Sequence, residues 1–184
     1  MVEISKYLKE FLRNNQFVHQ GNWDVSGKGE IEFKPLLEKN KNYCVYIWIA
    51  RKKDQIVPLY IGKARNGVIE RMSQHVGGFR EDKNGSVSGR KKRKIIGKLL
   101  ESNLDVEVYS RDSRFLDSLE IGFKELFDFN TQKNEYIKYP IVSLYSFEEE
   151  LLIRFFEENF QKITLMNGIK DITPEEFLDK INAL

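Results

Sequence analysis

Two tyrosines, two cations and an imidazole stand in a suggestive order in this chain. Tyr46 and Tyr60 lie in successive apolar stretches, and Lys63, Arg71 and His75 follow. Hydrolysis of a phosphodiester needs an activated water, a cation opposite the charge developing on phosphate, and help for the leaving oxygen. A phenol serves as a base only if its pKa falls from about 10, and nearby Lys63 and Arg71 would push it that way. Arg71 and His75 are four residues apart, so they share a face if the segment is helical. Arg71 offers planar donors suited to phosphate oxygens, and His75, which titrates near neutrality, would accept or relay the tyrosine proton. Singly, each has an ordinary alternative: strand tyrosines are usually core aromatics, and Lys63, Arg71 and His75 would be surface groups. His19 has no evident partner. The chemistry rests on the joint order.

Positioning these groups takes two strands and a helix. The stretch 42–50 (NYCVYIWIA) is β-branched and aromatic and predicts a buried strand. A charged turn over 51–55 and a second strand over 57–61 predict an antiparallel hairpin. Gly62 ends that strand, and 68–76 reads as a helix closed by Gly77-Gly78. Further out, 3–13 reads as an amphipathic helix, 21–29 as turn-rich and 30–33 as a short strand. A basic helix with Ile95, Ile96, Leu99 and Leu100 on its inner face follows Gly85–Gly89. A third strand is expected over 105–109, a helix over 114–127, a strand over 140–145 and an amphipathic helix over 146–160. Thr173-Pro174-Glu175-Glu176 marks a last helix start. The expected fold class is α/β of the α+β type: a small, mainly antiparallel sheet flanked by helices.

The residues Cys44-Val45-Tyr46, Tyr60-Ile61-Gly62-Lys63, Arg71 and His75 together resemble the GIY-YIG nuclease family. The second tripeptide matches outright and Tyr46 stands where the first tripeptide ends. Cys44 replaces the first glycine, and the spacing between the tyrosines is longer than usual, which 51–55 would explain as an enlarged turn. The resemblance runs over 43–76, extends to 146–168 and does not cover the first 40 residues. It implies a metal-dependent DNA endonuclease in which Tyr46, assisted by His75, activates water, Arg71 and Lys63 hold the phosphate and Tyr60 orients it. It also implies that a helical glutamate holds one divalent metal. The family's glutamate is followed four residues later by Ile, which selects Glu149, with Glu150 and Glu120 as alternatives; Ser146-x-x-Glu149 is equally a capping box. The helical wheel sets Phe147, Leu151, Leu152, Phe155 and Phe156 on the apolar side and Glu150 off it. A lone carboxylate would suit Mg²⁺, which keeps several waters. Asn167 resembles the polar residue closing the family motif, although Asn-Gly is also a common turn.

Length and composition agree with such a domain. The chain has 184 residues, enough for one domain with a substantial core, and 41% are hydrophobic against 32% charged. On this reading 1–41 is an N-terminal addition, 42–170 the nuclease core with an insertion near 111–139, and 171–184 a C-terminal helix. Cys44 is the only cysteine, which excludes a disulfide framework or a cysteine zinc site. No apolar run is long enough to cross a membrane and the N-terminus lacks a signal-peptide pattern, so a cytoplasmic location is expected. Net charge is only +2, but Lys91, Lys92, Arg93 and Lys94 form an acid-free basic run suited to the flanking DNA backbone. A solvated basic helix is the plain alternative. A homodimer would let one site per chain cut both strands. Two rivals remain: a DNA-binding module that has lost catalysis, as the Cys44 departure would allow, and a nucleotide-binding protein, which the missing G-x-x-x-x-G-K-[ST] loop disfavours.

Overall fold

The computed structural model of the chain describes residues 2–39, 41–81, 85–113, 144–159, 165–167 and 173–182. Its centre is a five-stranded antiparallel sheet in the order β2-β1-β5-β3-β4, formed by β1 (Val18–Val25), β2 (Ile31–Pro35), β3 (Cys44–Lys52), β4 (Gln55–Ala64) and β5 (Asp105–Asp112). Every residue from Cys44 to Ala50 is buried, so β3 is covered on both faces rather than one. The helices are α1 (Val2–Asn14), α2 (Val68–Gly78), α3 (Val87–Glu101), α4 (Leu144–Asn159) and α5 (Pro174–Asn182). This is the expected α+β class.

Strand alternation divides the core. Trp23, Tyr46, Trp48, Val106 and Val108 share one face, where Trp23 meets Phe79 and Trp48 meets His75 at the end of α2. Residues Ile95, Ile96 and Leu99 of α3 are buried, as their spacing predicts. On the other side, Leu8 and Leu12 of α1 are buried, Ser5 bonds both backbone groups of Ile56 in β4, and Phe11 packs against Phe155 and Phe156 of α4. The last helix has the expected cap: Glu176 accepts from the Thr173 amide at 2.8 Å and Thr173 Oγ1 accepts from the Glu176 amide at 3.2 Å.

Four expectations need correction. The stretch 21–29 is not one turn: β1 runs through Val25, and only the residues after it turn. Its glycine serves a bulge instead. Gly21 has φ +152° where the β1–β5 register shifts, and a Cβ there would lie 2.2 Å from the Lys34 carbonyl oxygen. The β3–β4 turn is not enlarged, because Arg51 and Lys52 pair with Ile56 and Gln55 and only Lys53 and Asp54 turn. The wide tyrosine spacing therefore comes from long strands. Leu144 and Tyr145 belong to α4 rather than to a strand, and the rest of that expected strand lies outside the described residues, as do the expected helix over 114–127 and Glu120. Finally, Leu151 is 46% exposed and not on the buried side of α4, where Leu152 and Phe156 are.

Candidate active site

At one end of the β3–β4 hairpin, Tyr46 stands opposite Gly62 and Trp48 opposite Tyr60. A methyl group on Gly62 would lie 2.3 Å from the Tyr46 hydroxyl oxygen and ring carbon, so glycine is what lets the phenol lie across β4. The Tyr46 and Tyr60 rings are 6.0 Å apart, and both face His75 edge-on. Tyr46 and His75 are joined through the phenol oxygen and Nε2 at 2.8 Å. Helix α2 delivers His75 inward and carries Arg71 one turn earlier. The structure thus brings Tyr46, Tyr60, Arg71 and His75 together.

The electrostatics correct one expectation. Burial holds the Tyr46 phenol well above its ordinary pKa, Tyr60 adds to that, and the opposing pull of Arg71 does not overcome it. Tyr60 is shifted upward too, first by burial and then by Glu149. Neither phenol is the depressed-pKa base that the neighbouring cations were expected to produce. His75 moves the other way: burial, Lys92 and Arg71 push it down to about 3, so its ring is neutral at ordinary pH. A neutral Nε2 accepts the Tyr46 hydroxyl proton when Nδ1 carries the ring hydrogen.

Arg71 and Lys63 line one pocket of about 210 Å³ with Asn66, Glu70 and Gln74. Arg71 bonds Gln74 through one terminal nitrogen at 2.9 Å, and its buried Nε has no hydrogen-bond partner. Lys63, at the end of β4, sits 3.0 Å from Glu149 Oε2. The three consecutive glutamates of α4 have separate fates. Glu148 is buried against Arg111 and Ser113, Glu149 reaches Lys63, and Glu150 is exposed beside Arg154. Helix α4 begins at Leu144, which sets the Ser146 backbone inside its first turn. Among the described residues no three acidic, histidine or cysteine side chains cluster as a metal site. Of these three glutamates Glu149 is the one beside Lys63, and it would hold a divalent ion that keeps most of its water.

The basic run does not act as a block. Lys92 leaves its neighbours and enters the site, with Nζ 4.0 Å from the centroid of the Tyr60 ring. Arg93 pairs with Glu81 at 2.8 Å and Lys94 is exposed, while Lys91 is partly buried on α3. A signal for Lys92 exists in the sequence: Lys92, Ile95, Ile96 and Leu99 fall at i, i+3, i+4 and i+7, placing this lysine on the apolar stripe. Asn167 is the other positioning residue. Its side chain accepts from the Ile61 amide at 2.9 Å and donates to the Ile61 carbonyl at 2.6 Å, closing the open edge of β4 between Tyr60 and Lys63.

No protein-family model matches the chain, and no curated protein matches it. Among solved structures it is similar to a mutant of bacteriophage T4 EndoII, with a TM-score of 0.53 and 21% identity over 81% of this chain and 94% of that chain. At this identity the likeness is one of fold, and it agrees with the expected α+β class. Among the described residues no helix is long and apolar enough to cross a membrane.

Proposed function

We propose that the chain is a DNA endonuclease that hydrolyses phosphodiester bonds with a divalent cation. The observation that carries this reading is the Tyr46–His75 contact buried beside Arg71, with Lys63 and Glu149 bordering the same end of the sheet. The fold neighbour EndoII adds support from outside the chain.

The phosphodiester would sit in the pocket between Arg71 and Lys63, with the Arg71 guanidinium as a donor. Lys63 would exchange Glu149 for a phosphate oxygen as the substrate enters. A phosphate charge beside Arg71 would offset one of the two cations that hold His75 down, making the ring a better proton acceptor. Water would then lose a proton to the Tyr46 oxygen as Tyr46 passes its own to His75, so no free phenolate is needed. Tyr60 would orient the phosphate against Tyr46. Glu149 would hold the divalent ion, whose charge would stabilise the phosphate in the transition state.

The second reading, a DNA-binding module without catalysis, has its own observation: Tyr46 has no exposed surface here. Cleavage of supercoiled plasmid with Mg²⁺ separates the two. Wild-type cutting that disappears in Arg71→Ala and Glu149→Ala is expected. Binding without cutting on several DNA forms favours the module, and cutting that survives Glu149→Ala removes this residue as the metal ligand.

A further inference from the structure

Lys92 has no part in the chemistry described so far, yet its position is unusual for a lysine in a basic run. It projects from the apolar stripe of α3 over the Tyr60 ring and is only partly exposed. The groups acting on it come from three elements around the site: Tyr60 of β4, Arg71 and His75 of α2, and Glu149 of α4. A lysine that served only the flanking DNA backbone would gain nothing from such burial, because phosphate contact favours an extended, hydrated ammonium. Arg71 and Lys63 already border the phosphate pocket. Tyr46 and His75 are committed to the attacking water and Lys63 to the phosphate, so the departing oxygen has no proton donor assigned to it yet.

We propose that Lys92 is the proton donor to the leaving oxygen. This rests on the nuclease reading above. Water oxygen forms its bond to phosphorus, and the bond from phosphorus to the bridging oxygen breaks. The electron pair of that bond stays on the leaving oxygen, which takes a proton from Lys92 Nζ, and solvent reprotonates the neutral amine. Burial, with help from Arg71, already lowers the Lys92 pKa to about 8, so the ammonium gives up its proton more readily than a surface lysine.

The test compares wild type, Lys92→Met and Lys92→Arg on two duplexes of one sequence. One is ordinary DNA; the other carries sulfur in place of the bridging oxygen at the cleaved phosphate, with versions on the 3′ and the 5′ side. A thiolate leaves without a proton. Methionine fits an apolar site, and arginine keeps the charge but does not release a proton near neutrality. The expected result is a loss of about 100-fold or more for both variants on ordinary DNA, with one sulfur duplex cut within about threefold of the wild-type rate by Lys92→Met. Near-wild-type cutting of ordinary DNA by Lys92→Arg would overturn the proposal and reduce Lys92 to a fixed charge. So would a Lys92→Met deficit that persists on both sulfur duplexes. In those two cases wild type still cuts and the nuclease reading stands; wild type that cuts none of the duplexes overturns that reading and this one together.

Discussion

Burying His75 neutral has a consequence for stability that can be measured without any substrate. Its folded pKa is about 3, below the ordinary value of 6.5. Between those values the unfolded chain binds more protons than the folded one, so stability is complete above pH 6.5 and falls as pH drops toward 3. A tenfold difference in proton affinity between the two states corresponds to about 1.4 kcal/mol. In urea unfolding, wild type should therefore lose about 1–2 kcal/mol more than His75→Gln between pH 7 and pH 5. Glutamine keeps an acceptor for Tyr46 but does not titrate. Equal losses in the two proteins would mean that His75 is not held neutral by its surroundings, and the proposed relay from Tyr46 would lose its acceptor. The same burial explains why the base could not be read from the sequence. Residue types and spacing identify Tyr46, Arg71 and His75, but whether a cation or desolvation controls a phenol depends on how deeply it is packed.

At the scale of elements, the site depends on strand β4, which among the described residues pairs on one side only. Asn167 closes the other side through its two bonds to Ile61. Each such bond contributes about 1 kcal/mol, so Asn167→Leu should cost about 2 kcal/mol and speed hydrogen exchange at the Ile61 amide. Cleavage should fall as well, because Tyr60 and Lys63 flank that amide. Unchanged Ile61 exchange would show that the β3–β4 ladder holds the edge alone. The hairpin, α2 and the inner face of α3 were legible because aromatic, β-branched and helical periodicities coincide there. Strand β1 was not, since Gly21 reads as a turn signal and its use in a bulge depends on the neighbouring strand. The site had the same limit. Its motif residues were visible, whereas Lys92 was hidden in a basic run that suggested one shared task, although its apolar spacing was a usable sign.

For the whole molecule, the net charge of +2 is too small to draw DNA toward the site from afar, so on the proposed reading affinity would come from where the cations lie. Helix α3 crosses beside the end of the hairpin that carries Tyr46 and Tyr60, and it bears Lys91 and Lys94 with Lys92 between them. Lys52 and Lys53 are at the β3–β4 turn, the opposite end of the same strands, and they serve as an internal control. If DNA runs along α3 into the pocket, the α3 lysines neutralise phosphates and the turn lysines do not. Each neutralised phosphate contributes about 0.9 to the slope of log affinity against log salt. The double change Lys91→Ala and Lys94→Ala should therefore lower that slope by about 2 and weaken binding similarly for unrelated sequences. Lys52→Ala with Lys53→Ala should leave it unchanged. Fluorescence anisotropy on one duplex across a salt series measures all three proteins. The reverse pattern, with the turn lysines carrying the slope, would put the DNA across the far end of the sheet, away from Tyr46 and Arg71. A catalytic role for those residues would then lose its geometric basis, even in a protein that binds DNA well.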